Sequence, residues 1–357
     1  MSMHMKRELL WVVAAVSLAQ ACGGRSVDLN QRAPDTTATT PAVPPNEVAP
    51  IVLPDAILYL WVDESRFYWQ TASQGKIQSC LKDDCEHSVV TYAAEHYSDG
   101  VRITIASGHV YWRANGGTIY SCPSAGCDGE PQRVVQDPAG LNSALSADGD
   151  YVYWASAADI YRCRYSGCGP TPEVVATQSH PSFKLSFQGS NAYWVDVSQD
   201  FSTFPILRAP SDGSAPPSPV VQTSARDLGN DGVNLYWTAD NTSIDAGRET
   251  QLFDILSCPL DGCGGSEPAE VATGMQAEEF LVDSAGLYWL EYRGTSPTST
   301  EQFLHSCPLA GCGSSSKVIV SGNILSFAVD DQFLYWVPSD NAQAVHDGSK
   351  RIHRAPK

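Results

Sequence analysis

Positive charge is scarce in this chain: 22 Lys and Arg stand against 40 Asp and Glu, a formal net charge of -18. Phosphate binding needs clustered cations, so nucleic acid and an anionic membrane face are excluded as principal partners. Amphipathic helical stretches are also scarce, which excludes a helical bundle. The apolar stretch from Leu9 to Leu18 is too short to span a bilayer as a helix. The signatures G-x-S-x-G, H-E-x-x-H and G-x-x-x-x-G-K are missing. His4, His87, His96, His109, His180, His305, His346 and His353 are scattered rather than clustered. No catalytic residue, metal ligand or cofactor site is therefore expected.

What is present begins with an address. Lys6 and Arg7 precede the short apolar stretch, and AQACGG follows it; Met5 also fits as the start of such a leader. Residues 1–21 read as a signal peptide. Ala19 and Ala21 fit ordinary cleavage, whereas Cys22 fits a lipidated first residue, although Ala19 replaces the usual lipobox leucine. Of 11 cysteines, ten form local pairs and Cys22 is left over. A lone thiol is a liability in an oxidising compartment, so lipidation is the favoured reading. Residues 22–45 read as the lipidated cysteine and a disordered Thr/Pro-rich tether, and 46–357 as one domain. The expected location is the periplasm or outer membrane, with membrane attachment by lipid alone.

The domain repeats. Tyr-Trp occurs seven times, ending at Trp69, Trp112, Trp154, Trp194, Trp237, Trp289 and Trp336. Six residues before the tryptophan stand Asp63, Asp148, Asp231, Asp283 and Asp330, with Ala106 and Gln188 as exceptions. Each unit reads as four short strands, with the aspartate capping the turn before the second. The fold class predicted is all-β: a seven-bladed β-propeller of four-stranded blades. The last unit lacks a fourth strand, while NEVAPIV upstream of the first unit resembles the fourth-strand text AEVATGM. An N-terminal strand around residues 47–49 is thus expected to close the ring.

YWTAD at Tyr236–Asp240 and ILRAPSDGS at Ile206–Ser214 resemble the YWTD, or class B, repeats of the lipoprotein-receptor family. The leader and cysteine-paired units also look like envelope propellers of Gram-negative bacteria. The resemblance implies a propeller but no shared ligand, because that family's rings have six blades and only the fifth unit carries Thr after Tyr-Trp.

Five cysteine pairs recur at one spacing: Cys80 with Cys85, Cys122 with Cys127, Cys163 with Cys168, Cys258 with Cys263 and Cys307 with Cys312. Pro after the first and Gly before the second fit a four-residue hairpin loop between third and fourth strands, with the cysteines facing across it within disulfide reach. Ala209 and Ser214 replace both members in the fourth unit. Zinc would need pairs brought into one tetrahedron, which separate hairpins do not provide.

The distance from each Trp to the first cysteine position is 11, 10 and 9 in units 1–3, but 21, 18 and 19 in units 5–7. Such long connections mark a candidate binding face. The expected ligand-binding residues are Asp240, Asp245, Glu249 and Asp254, then Glu291, Tyr292 and Glu301, then Asp340 and Asp347. Arg248, Arg293, Lys350 and Arg351 partly offset their charge. The function expected is a non-enzymatic, monomeric module for a protein or glycan ligand. The alternative is a lyase or glycan hydrolase with paired carboxylates at the channel mouth.

Overall fold

A computed structural model describes residues 48–357, apart from 94–102, 115–116, 137–143, 157–158, 170, 178–180, 198–203, 242, 246–247, 278, 297–298 and 340–348. The signal peptide and the tether, with Cys22, lie outside the described residues. The remainder is all-β. Five four-stranded antiparallel sheets, one seven-stranded sheet and one two-stranded hairpin make up the described sheet structure. Each four-stranded sheet is a blade whose second strand carries one Tyr-Trp. The first strands of successive sheets lie against one another, as Pro181–Gln188 does against Ala225–Asn230, and so they form the hub of a β-propeller.

The seven-stranded sheet holds two Tyr-Trp strands, Arg66–Thr71 and Phe333–Pro338. They are joined through one long strand, Val48–Val62. The early part of that strand pairs with the last strand of the chain, with Val48 opposite Arg354, Ile51 opposite Ile352 and Val52 opposite Arg351. Its later part pairs with the second strand of the first unit, with Leu60 opposite Trp69 and Val62 opposite Phe67.

The Tyr-Trp dipeptide works through strand alternation. Neighbouring residues on a strand point to opposite faces, so the tyrosine meets one neighbouring blade and the tryptophan the other. Seven buried clusters follow, each drawn from two consecutive units. Each holds the tyrosine of one unit and the tryptophan of the next, such as Tyr68 with Trp112 and Tyr236 with Trp289. The series ends with Tyr335 and Trp69 in one cluster. All seven indoles are at most 3% exposed. At ~200 Å² of apolar surface each, burial contributes up to about 5 kcal/mol per ring relative to an extended chain.

The aspartates do what the turn chemistry predicts, and more. In the first unit Asp63 Oδ1 accepts the amides of Ser65 (2.8 Å) and Arg66 (2.7 Å), while Oδ2 accepts the Tyr68 hydroxyl at 2.6 Å. Asp148, Asp231 and Asp330 repeat this cage with Tyr153, Tyr236 and Tyr335. In the sixth unit Asp283 keeps the amide bonds and receives Lys357 on Oδ2. The two exceptions use backbone conformation instead. Ser107 and Gly108, after Ala106, both have positive φ (49° and 69°), and Gly189, after Gln188, has φ 57°. These are two-residue hairpin turns that need no carboxylate.

All five disulfides form as the spacing predicts: Cys80 to Cys85, Cys122 to Cys127, Cys163 to Cys168, Cys258 to Cys263 and Cys307 to Cys312. The expected hairpin shape needs correction. The first cysteine of each pair is the last or next-to-last residue of a third strand, but Cys127, Cys168, Cys263 and Cys312 do not face it from a fourth strand. They stand in irregular chain, and the fourth strands begin only at Gln132, Glu173, Ala269 and Lys317. The physical reason is a tight turn that reverses the chain early. Gly126 N donates to Pro123 O at 2.9 Å, and Gly167, Gly262 and Gly311 repeat the bond to Arg164, Pro259 and Pro308. Each bridge therefore closes a turn capping the third strand rather than a four-residue hairpin loop. Cys122, Cys163 and Cys258 are buried, whereas Cys127, Cys168 and Cys263 are only partly so, packed at the margins of the same inter-blade clusters.

In the fifth and sixth units the cysteine turn also closes on the preceding blade. Cys312 N and Gly313 N donate to Val271 O at 2.8 and 3.1 Å, and Thr273 N donates to Gly313 O at 3.0 Å. A Cβ on Gly262 would stand 2.7 Å from Val220 O of the preceding blade. Gly262 thus has two duties: positive φ and close backbone approach.

Candidate ligand-binding surface

Antiparallel alternation places the Asp turns and cysteine turns on one side of the ring. The connections between second and third strands fall on the other side. In units 5 and 6 these long connections are ordered β-structure rather than coil. In the fifth unit, pairing of Asn234–Asp240 with Phe253–Pro259 runs to Asp240 opposite Phe253. A further hairpin, Ser243–Asp245 with Arg248–Thr250, then extends outward. In the sixth unit, Leu287–Ser296 and Ser299–Cys307 form one hairpin paired out to Ser296 opposite Ser299. Its second strand has 10 residues, against 6 in the first, third and fourth units, so it overshoots the blade.

The carboxylates read from the sequence divide into several environments. Asp240 is held by Arg226, whose Nη2 and Nε donate to Oδ2 at 2.7 and 3.1 Å. The same guanidinium covers the Phe204 ring at 4.7 Å. Asp254 ties the root of the hairpin together, accepting from Asn241 Nδ2 and Gly274 N, both at 2.8 Å. Asp245 and Glu249 lie on the outer hairpin of the fifth unit, one register step apart. Tyr292 and Glu301 lie on the two strands of the sixth-unit hairpin, with Tyr292 opposite Gln302 and Glu301 opposite Arg293. Asp340 and Asp347 lie outside the described residues.

Glu291 is buried, with its Oε2 2.8 Å from His305 Nε2 but off the hydrogen-bond axis. His305 Nδ1 shares a 2.8 Å hydrogen bond with Ser316 Oγ, and its ring lies flat on Trp289 at 5.4 Å. Sequence reasoning missed this group because its members come from separate segments of the blade. The same is true of the histidine pattern. His305 and His353 sit opposite Trp289 and Trp336 and stack on them, as Tyr120 and Tyr161 stack on Trp112 and Trp154. Burial holds His353 below the ordinary histidine range.

At the hub, Lys184 Nζ donates to Asp227 Oδ2 at 2.9 Å and to Phe280 O at 3.3 Å, while Phe280 N donates to the same Oδ2 at 3.0 Å. One carboxylate thereby links the first strands of three successive units. Lys184 and Asp227 each stand four residues before the turn position of their unit, Gln188 and Asp231. Aligning the repeats would have found this pair.

No family model matches the chain. Among solved structures, it is similar to YCF48 bound to D1 peptide, at 12% identity and TM-score 0.53, with 87% of this chain and 96% of that chain covered. It is also similar to a Kuenenia stuttgartiensis hydrazine synthase chain, at 9% identity and TM-score 0.58, with 91% and 99% covered. At such identities the likeness is one of fold: the chain is a β-propeller.

Proposed function

We propose that this chain is a non-enzymatic binding scaffold: a seven-bladed propeller held at a bacterial cell envelope by lipid on Cys22. It presents the long connections of units 5–7 to a protein or polyhydroxylated ligand. The observation that carries the binding face is the ordered extension of second and third strands beyond the fifth and sixth blades. Connections kept to the length seen in units 1–3 would close these blades equally well. The YCF48 structure, a propeller of comparable size, holds a peptide.

The blade count is supported by the seven two-unit clusters and by Val48–Val62, read as the outer strand of the seventh blade and the inner strand of the first. The envelope anchor is supported by the leader, the unpaired Cys22 and five local disulfides suited to an oxidising compartment. The Tyr-Trp units and the propeller fold favour kinship with YWTD-type repeats.

The test replaces residues 243–250 and 292–300 with short turns and compares the two proteins by photo-crosslinking from the hairpin flanks in envelope extracts. The expected result is a defined crosslinked partner that is lost on shortening, with melting unchanged. A partner captured equally by the shortened protein would place the working face elsewhere. Intact-mass analysis of the mature protein should find lipid on its N-terminal Cys22, and an unmodified N-terminus would remove the anchor.

A further inference from the structure

The cysteine turn of the first unit departs from its counterparts in sequence while keeping the turn bond, Asp84 N donating to Leu81 O at 3.3 Å. It reads CLKDDC, with Asp84 where four other units carry glycine before the second cysteine. Among described non-glycine residues only Ser107 has positive φ, so Asp84 does not adopt the left-handed conformation of Gly262 and Gly311. A side chain there also prevents the close backbone approach that Gly262 makes.

Beside this turn lies an open groove of about 590 Å³, where the first and last units meet, between residues 51–54 and 82–86. Strand register makes Pro50, Ile51 and Val52 the equivalents of Val271, Ala272 and Thr273, because Ile352 pairs with Ile51 as Ile255 pairs with Ala272. In the fifth blade that outer edge is occupied by the next cysteine turn, through the bonds of Val271 and Thr273 and a parallel bridge from Ala272 to Gly313. Among the described residues no backbone hydrogen bond joins 82–86 to 50–52. Ile51 and Leu53 turn into the core between the end units, while Val52 is 64% exposed.

The other wall is acidic. Asp83, Asp84 and Glu86 are all exposed. Of the nearby cations, Lys82 is committed to Asp330 and Lys350 to the Pro54 carbonyl, while Arg351, opposite Val52, is exposed. Among the described residues only His87 pairs with one of these carboxylates, Asp84, at 2.8 Å.

We infer that this groove docks an extended segment of another protein carrying lysine or arginine side chains. The segment pairs along the Pro50–Val52 edge, in the place that Gly313 takes on the fifth blade, and its cations meet Asp83, Asp84 and Glu86. Strand addition supplies backbone hydrogen bonds without regard to sequence, and the acidic wall selects the charge. This surface is separate from the hairpin face of the proposed function and stands or falls independently of it.

The test uses the full chain and a short fluorescent peptide of alternating valine and lysine at physiological salt, with a valine–glutamate peptide as control. Binding of the lysine peptide alone is expected, with amide-exchange protection at residues 51–53 and 84–88. The variant Asp83→Asn/Asp84→Asn/Glu86→Gln should weaken it about tenfold or more. Undetectable binding, equal affinity in the triple variant, or protection confined to other surfaces would overturn the proposal. So would tighter peptide binding after deletion of residues 25–44, which would make the chain's own tether the occupant. A concentration-dependent dimer that the peptide cannot dissociate would overturn it by assigning the groove to a second copy.

Discussion

Tyr335 and Trp69 lie 266 residues apart in sequence and share one buried cluster, as each other Tyr does with the Trp of the following unit. If this seam is as well packed as the internal ones, removing Trp69 should be as harmful as removing an internal indole. Trp69→Ala and Trp194→Ala should each cost about 3–5 kcal/mol in chemical denaturation. A much smaller loss at Trp69 would show a weak seam.

Strand Val48–Val62 pairs with both ends of the domain. Deleting residues 48–52 removes paired strand and should lower the melting temperature by several degrees, about 2–4 °C per kcal/mol lost. Deleting 25–44 should leave melting unchanged. Equal melting of the two proteins would contradict the closure.

The turn glycines separate two costs. Gly167 and Gly262 both have positive φ, 115° and 98°, but a Cβ on Gly167 meets nothing within 4 Å whereas one on Gly262 stands 2.7 Å from Val220 O. Gly167→Ala should cost about 1–2 kcal/mol through backbone strain alone. Gly262→Ala should cost clearly more. Equal urea midpoints for the two variants would show that the approach to the preceding blade is not tight.

Asp231 and Asp330, two of the caged aspartates, are expected to shape the acid limit of the fold. Burial tends to raise Asp330, but Lys82, the amides of Phe333 and Gln332 and the Tyr335 hydroxyl outweigh it and hold the carboxyl below its ordinary value. Asp231 is likewise lowered: the amides of Asn234 and Val233 and the Tyr236 hydroxyl outweigh its burial. A folded-state pKa below the unfolded one means stability that is full above the unfolded value, near 3.9, and is lost as pH falls through the folded value. Unfolding free energy should therefore decline below about pH 4. Asp231→Asn and Asp330→Asn should each lose about 1–3 kcal/mol at neutral pH and show a flatter acid limb. An unchanged acid limb in both variants would assign the dependence to other carboxylates.

The partner tyrosines move the other way. Burial first, then the bond to the carboxylate, pushes Tyr153 and Tyr236 up to about 12. A folded-state pKa above the unfolded value, near 10, stabilises the fold below that value and is lost as pH rises through the folded one. Absorbance titration should show these phenols ionising only with alkaline unfolding. Their titration near 10 in the folded protein would contradict the cage.

The repeat, the strand pattern, the cysteine pairing and the turn role of the aspartates are legible in the amino-acid sequence. Each is a local matter: alternation, turn chemistry and a fixed spacing act within a few residues of Trp154, Cys163 or Asp148. The long connections after Trp237 and Trp289 are legible too, because length can be counted. The spacing of Cys122 and Cys127 fixed their partnership but not the path of the chain between third and fourth strands, since one spacing suits both a hairpin loop and a capping turn. Other features required tertiary structure because their atoms come from distant segments. Asp240 turns to Arg226, Asp254 to Gly274 and Glu291 to His305, so carboxylates that look alike in sequence differ in what they can offer a ligand. The reason Gly262 matters beyond its φ, and Gly167 does not, lies in the preceding blade's backbone. Asp84 looks like a minor departure in one repeat of five, and only the packing of the first unit against the last sets it beside a groove.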